Sequence, residues 1–273
     1  MDGQGQFAGK VAVVTGGTQG LGEAIARLLV ERGASGVVVT GRNRERGEAV
    51  AASLGQEGGA KALFVPAELA DLGQVRAVVA RCDEAFGRVD CLVNAAAITD
   101  RGTILDTNPE LFDQMFSVNV RAPFFLMQDA VRVMLRERIE GTIVNILSMS
   151  SHGGQSFLTA YSASKTALGA LTKNVAFSLL PNRIRVNALN IGWMDTPGEH
   201  AIQKRAHDAP ADWIRDAEAG RPFGRLLKPD EVARAAAFLL SAESGLMTGS
   251  LVDFDQTVNG CGDSPAMPRA ALG

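Results

Sequence analysis

Val11-Ala12-Val13-Val14-Thr15-Gly16-Gly17-Thr18-Gln19-Gly20-Leu21-Gly22 is the stretch that decides the fold. Its valine-rich start reads as a buried strand, and Leu21, Ile25, Leu28 and Leu29 then recur at the helical period until Gly33 supplies a stop. The glycines between strand and helix let the backbone turn sharply and come close to a pyrophosphate, whose charge the helix N-terminus favours. The spacing differs from Gly-x-Gly-x-x-Gly. Its position, between strand and helix at the head of an alternating chain, is what points to nucleotide binding rather than a plain tight turn.

Outward from that turn, short apolar runs alternate with helix-period segments. Strands are predicted at 11–15, 37–40, 62–65, 91–94, 142–146, 184–189 and 251–254. Helices are predicted at about 20–32, from an Asn43 cap towards 54 before a glycine turn at 55–59, from Asp71 with Val75, Val78, Val79, Cys82 and Phe86 inward, at about 156–180, and at 229–241. Pro109 suits a helix start and opens a long helix through Met115, Val118, Phe125 and Met134. This order is that of a doubly wound parallel sheet of Rossmann type, an α/β fold in three layers, α/β/α, formed by one domain over 1–273. The charged, partly helical stretch at 193–222, which contains Pro197 and ends at Pro222, is too short for a core of its own and reads as an excursion over a site. The glycine- and proline-containing tail after Asn259 is expected to lack regular structure or to dock on a neighbouring subunit.

A second constellation lies in the later half. Ser148 follows the run at 142–146, and Tyr161 and Lys165 stand four residues apart in a helical segment, on one face. An ammonium beside a phenol favours the phenolate, which would pull the tyrosine down from its usual value of about 10 towards the range useful for proton transfer at neutral pH. Ser148 would hold the reacting oxygen.

Composition bounds the rest. Apolar residues make up 46% of the 273 and aromatic ones only 5%, with 30 glycines, which suits a sheet under tightly packed helices. A formal net charge of -3 with no basic run argues against a nucleic-acid partner. The polar, glycine-rich start at 1–10 carries no apolar signal region, and no run approaches the roughly 18 apolar residues that span a bilayer, so a soluble cytoplasmic protein is expected. Cys82, Cys91 and Cys261 are widely spaced, with no Cys-x-x-Cys pair, so neither a disulfide framework nor a metal site is indicated. The first two read as core thiols.

Thr15 to Gly22 matches the Thr-Gly-x-x-x-Gly-x-Gly loop of the short-chain dehydrogenase/reductase family, which the chain resembles over nearly its whole length. Ser148, Tyr161, Lys165 and the helix asparagine Asn119 match that family's catalytic set at the expected separations. The resemblance implies that Gly16, Thr18, Gln19, Gly20, Leu21, Gly22, Glu68, Leu69, Asn94, Ala95, Tyr161, Lys165, Gly192 and Thr196 contact a nicotinamide dinucleotide. Asn119 would then hold a water that links Lys165 to solvent.

Several positions depart from the family pattern. Ala95, Ala96 and Ala97 follow Asn94 where Asn-Ala-Gly is usual, Glu68 replaces an aspartate, and Asn190-Ile191-Gly192 lacks the proline. Asp255 is retained, but Gln256 and Thr257 replace glycines. About 20 residues past the loop stand Gly41 and Arg42 rather than an acidic residue. Arg42 can pair with a 2′-phosphate, so NADP is favoured over NAD, although the basic residue often found at the position of Gln19 is missing.

The reaction implied is interconversion of a secondary alcohol and a ketone by hydride transfer, with proton transfer through Tyr161. The alternative is a dinucleotide-binding sensor or scaffold on the same fold, and the complete set of four residues favours the enzyme. Trp193 and Met194 suit an apolar wall or core packing equally, and His152 and His200 read as surface histidines. His200, Gln203, Lys204 and Arg205 in the excursion tilt the substrate towards a polar ketone, a polyol or a sugar-derived alcohol. The resemblance also implies a homotetramer with helices paired across subunits.

Overall fold

Seven strands form one parallel sheet in the order β3-β2-β1-β4-β5-β6-β7. They are β1 (Val11–Thr15), β2 (Gly36–Gly41), β3 (Lys61–Pro66), β4 (Cys91–Asn94), β5 (Thr142–Ser148), β6 (Arg185–Ile191) and β7 (Leu251–Phe254). The computed structural model describes residues 5–261. The expectation for the tail falls mostly on residues beyond 261, outside the described ones.

Burial on both faces explains the unbroken valine runs. Ala12 and Val14 belong to one core with Val37, Val39 and Val93, whereas Val11 and Val13 belong to the other with Val38 and Leu92. The period-two alternation therefore separates two apolar faces rather than an apolar from a polar one. The first core is closed by α1 (Gly20–Glu31), α2 (Arg44–Gly58) and α9 (Pro229–Leu240), and the second by α3 (Leu72–Phe86), α5 (Ala122–Arg136) and α6 (Thr159–Ser178).

Three elements differ from expectation, each for a local reason. Residues 55–58 do not turn: α2 continues to Gly58, and Gly59 ends it in the left-handed conformation at φ 67°. A β-carbon on Gly58 would come within 2.3 Å of the Val30 side chain, so this glycine serves close packing against α1. Helix α6 begins at Thr159 rather than near 156, because residues beside Leu158 pair with Gly102: the Gly102 amide donates to Phe157 (2.9 Å) and the Thr159 amide to Gly102 (3.3 Å).

The third difference interrupts the long helix after Pro109. It forms as α4 (Pro109–Phe116) and α5, joined by a π turn over Ser117–Arg121 whose closing amide, Ala122, donates to the Ser117 carbonyl. Pro123 accounts for the break. It stands four residues after Asn119, has no N–H to give the Asn119 carbonyl, and its ring would collide with that carbonyl in a regular helix. After β6 come α7 (Pro197–His207) and α8 (Trp213–Ala219), the helical part of the excursion.

Buried amides tie the sheet to α6. Asn94 Nδ2 donates to Asn145 Oδ1 (2.8 Å), and Asn145 Nδ2 donates to Thr172 Oγ1 (2.9 Å). Asn94 Oδ1 is buried with no hydrogen-bond partner among the described residues. Asn145→Ala would leave a second orphan on Asn94, and we expect it to lower the unfolding free energy by about 1–3 kcal/mol in urea denaturation.

Candidate active site

The order of strands reverses between β1 and β4, where the chain leaves β1 in one direction and returns on its other side. Thr15 stands opposite Asn94 in that pair. Ligands of doubly wound sheets bind in the crevice outside the carboxyl ends of strands at such a switch point. Thr15 Oγ1 accepts from the amides of Ala95 and Ala96, both at 3.1 Å, and so holds the loop after β4 against the glycine turn.

That turn is built for close approach. Gly16 and Gly20 have φ of 66° and 55°, and a β-carbon on Gly16 would come within 3.0 Å of Ala96 Cα. One on Gly22 would press to 2.3 Å on the Gly16 carbonyl oxygen. Helices α2, α3 and α4 are each capped by a side chain, from Asn43, Asp71 and Asn108. Helix α1 has no such cap from Gln19, so its first N–H groups are left for an anion. The cradle therefore fits the pyrophosphate of a dinucleotide.

The adenosine-side candidates lie at the ends of β2 and β3. Arg42 is mostly exposed and stands 3.8 Å from the Glu68 carboxylate. Glu68 Oε1 also accepts from the Ala70 amide (3.3 Å), and the neighbouring Leu69 is buried. Thr18 packs its side chain where Gly41 has none. Arg46, in the first turn of α2, donates to Gln19 Oε1 (2.5 Å) and brings a cation to the position where the family's basic residue is absent.

On the opposite side, Asn94 gives its Nδ2 to the buried amide pair described above. Ala95 and Ala96 line the strand end half-buried, and the methyl of Ala97 is exposed. Gly192 lies so close to Asp255 that a β-carbon would overlap its carboxylate, and its amide donates to Phe254 (3.0 Å). Thr196 caps α7 by accepting from the Glu199 amide (3.1 Å), and its side chain would stand 3.6 Å from a β-carbon on Gly20. The glycine turn and the segment after β6 thus face each other.

Ser148, Tyr161, Lys165 and Asn119 come from four separate elements or turns of chain. Ser148 ends β5 and accepts from the Ser150 amide (3.1 Å). Tyr161 lies in the first turn of α6. Lys165, one turn on and buried, sends Nζ to the Ile146 carbonyl (2.7 Å) and sits 5.8 Å from the centre of the Tyr161 ring. Asn119, in the π turn, is clamped to the backbone of Ile98: its Oδ1 accepts from the Ile98 amide and its Nδ2 donates to the Ile98 carbonyl, both at 3.0 Å. The same Nδ2 reaches Ser164 Oγ (3.1 Å), which donates to the Tyr161 carbonyl (2.7 Å).

The expected depression of the phenol does not occur here. Burial pushes Tyr161 up to about 12, the Ser148 hydroxyl opposes that, and the charges of Glu199 and Arg101 act in opposite directions. Burial also lowers Lys165 to about 8. Desolvation outweighs the neighbouring cation because that cation is itself desolvated and turned to the Ile146 carbonyl. The phenol is therefore protonated at neutral pH and can act as a hydrogen-bond donor. Burial likewise raises Cys82 to about 12 and Cys91 to about 11, as befits core thiols.

The excursion's residues carry more chemistry than anticipated. Trp193 stacks on Trp213 with centroids 5.6 Å apart, and its indole N–H donates to Glu199 Oε1 (2.8 Å), while Met194 is buried in the core. His200 is no free surface histidine: Nδ1 accepts from the Trp213 indole (3.1 Å), which leaves Nε2–H to donate to Asp195 (2.8 Å). His152 likewise pairs with Asp253 (2.9 Å). Gln256, in place of a glycine, accepts from the Phe223 amide and donates to the Arg225 carbonyl, so it clasps the end of β7 to the segment that follows the excursion. Arg101 and Glu199 had no motif to mark them.

Comparison with known proteins places this geometry in a family. The family model described as enoyl-(acyl carrier protein) reductase matches residues 16–259. Galactitol 2-dehydrogenase of Agrobacterium fabrum is 34% identical over 252 residues, 90% of this chain and 96% of that protein. The 3alpha-hydroxysteroid dehydrogenase of Mediterraneibacter gnavus is 35% identical over 246 residues, 90% of this chain and 95% of that protein. L-Sorbose reductase from Gluconobacter frateurii, solved with NADPH and L-sorbose, superposes with a TM-score of 0.86 at 29% identity, over 94% of this chain and 98% of that one. By matched length, identity and fold together, the chain belongs to the short-chain dehydrogenase/reductase family and is one of its oxidoreductases acting on CH–OH groups.

Proposed function

We propose that this protein interconverts a secondary alcohol and a ketone with NADP(H) as coenzyme. The observation that carries the reading is the meeting of Ser148, Tyr161 and Lys165, with Asn119 linked through the Ser164 hydroxyl to the Tyr161 carbonyl. Relatives named for galactitol, hydroxysteroid and sorbose support the reaction class.

A bound nicotinamide dinucleotide would supply the hydride or accept it. The glycine turn and the N–H groups of α1 would hold its pyrophosphate, Arg42 and Glu68 its adenosine end, and the stretch from Gly192 to Thr196 its nicotinamide end. Arg42 and Arg46 supply two cations near Gln19 and Glu68, which supports the 2′-phosphate form.

The chain's own groups then handle the oxygen and its proton. Ser148 hydrogen-bonds the substrate oxygen and orients it. Tyr161, protonated at neutral pH, gives its proton to that oxygen as negative charge develops in reduction, and takes it back in oxidation. Lys165 stabilises the phenolate left behind. Asn119 fixes the π turn and the loop at Ile98, which keeps the phenol in place. Exposed Leu135 on α5 and Phe177 on α6 support pairing with further copies of the chain, as in a tetramer.

Tyr161→Phe should reduce ketone turnover by at least about 100-fold while dinucleotide binding is retained, measured by NADPH absorbance and by fluorescence titration. Turnover at the parent rate would sink the assignment, and dinucleotide binding with no coenzyme reduced by any alcohol would favour a sensor.

Removal of Arg42 tests the coenzyme. Arg42→Ala should weaken NADP binding roughly tenfold or more and leave NAD nearly unchanged, because only the former loses a charge-assisted contact. Equal effects on both would remove the basis for the preference.

Tyr161 is the sole tyrosine, so ultraviolet titration of the coenzyme-free protein reads it alone. Tyrosinate absorbance should rise near about 12 in the folded protein, against about 10 once unfolded in urea. Since the folded value is the higher, the folded state holds the extra proton between those values. The contribution to stability is complete below pH 10 and is lost as pH rises towards 12.

A further inference from the structure

Arg101 and Glu199 form an ion pair that the proposed reaction does not use. They arrive from opposite walls of the crevice. Arg101 lies on the loop after β4, next to Gly102, which is bridged to Leu158 three residues before Tyr161. Glu199 lies on the first turn of α7, one turn from Thr196. Their side chains are 15% and 16% exposed, with 3.5 Å between Nη2 and Oε1. Through the Gly102–Leu158 bridge, Arg101 is carried to the start of the helix that bears Tyr161, and Glu199 comes with it in the pair.

The bonding of the pair leaves capacity on each side. Glu199 Oε1 accepts from the Trp193 indole (2.8 Å), from Gln203 Nε2 (2.7 Å) and weakly from Arg101, whereas Oε2 has no donor among the described residues. Arg101 gives Nε to His207 Nε2 (3.2 Å) and Nη1 to the Thr99 carbonyl (2.8 Å), and its plane lies 5.7 Å from the Phe157 ring centre. Only the long contact to Glu199 occupies Nη2. A guanidinium carries five N–H donors, so at least two remain.

A free acceptor and free donors side by side match a particular chemistry. We propose that Arg101 and Glu199 recognise a hydroxyl adjacent to the reacting carbon, so that the preferred substrate is a neutral α-hydroxyketone or, in the reverse direction, a vicinal diol. A hydroxyl both donates and accepts, so it satisfies Oε2 and an Arg101 N–H at once. A simple ketone leaves both unanswered. An α-ketoacid brings a carboxylate against Glu199, and the attraction of Arg101 for it is already offset within the pair. A site that hydrogen-bonds a substrate hydroxyl discriminates against analogues lacking it more sharply than an apolar pocket does.

This inference rests on the hydride-transfer reading for its place in the reaction but concerns recognition, so the test separates the two. Hydroxyacetone, 2-butanone and pyruvate are compared as substrates with NADPH. Wild-type kcat/KM should be highest for hydroxyacetone by at least about tenfold. Glu199→Gln should narrow its lead over both competitors by about tenfold, through a raised KM for hydroxyacetone.

Independently of turnover, the Trp193 indole N–H resonance in the Tyr161→Phe protein with NADP should shift on adding 2,3-butanediol and not on adding 2-butanol, because that N–H shares Glu199 with the ligand. Equal rates for the three ketones, a preference for pyruvate, or an unchanged lead in Glu199→Gln would overturn the proposal while leaving hydride transfer intact. A diol-specific indole shift in a protein that reduces no ketone would uphold recognition by the pair and overturn the reaction instead. Since the wild-type ranking and the indole shift need no Glu199 variant, a failure of that variant to fold does not remove the test.

Discussion

The Thr15 hydroxyl is the joint on which the crevice depends. It receives two successive amides, from Ala95 and Ala96, and so fixes the end of β4 and the loop beyond it against the glycine turn. Without that bond the loop would be free to close over the place where Gly16 meets Ala96 with no room for a β-carbon. The placement of Ile98, Asn119 and Arg101 follows, since all three are tied to that loop. A single side-chain oxygen with two acceptor sites thus sets the spacing of both walls.

Around the tyrosine, desolvation and charge act against each other. A cation one helical turn away would ordinarily lower a phenol, yet the same burial that raises Tyr161 lowers Lys165. The result is a neutral phenol beside a lysine that holds its proton at pH 7 but not far above it. In the proposed reduction a proton donor is what this position needs, and the nearby ammonium would matter most once the proton has left.

Much of the framework was legible because parallel sheets write themselves in short valine runs. The strands at Val11–Thr15, Cys91–Asn94 and Leu251–Phe254 begin and end where the pattern says, and Asn43 caps α2 as its residue type suggests. Glycines were harder: those at 55 and 58 look like a turn but lie within α2, and Gly58 serves the contact with Val30, a matter of neighbours distant in sequence. The site residues with a motif could be named from the chain alone, whereas Arg46, Arg101 and Glu199 are ordinary charges until folding brings them to Gln19, to each other and to Tyr161. The Tyr161 shift also escaped, because spacing reveals the cation and conceals the burial.

The extra residue ahead of Pro123 has a consequence for how one helix serves two neighbours. A regular helix turns by roughly 100° per residue, so accommodating one more residue in the turn rotates everything beyond it by about that angle without bending the rod much. Ahead of the π turn, α4 packs on α6, and beyond it, α5 packs on α3. The helix therefore behaves like a crystal with a single dislocation, two ordered halves out of phase, and Asn119 sits on the line where the phases meet. Healing that dislocation by deleting one residue and replacing Pro123 would give a more regular helix, and one of its two apolar faces would then point at water.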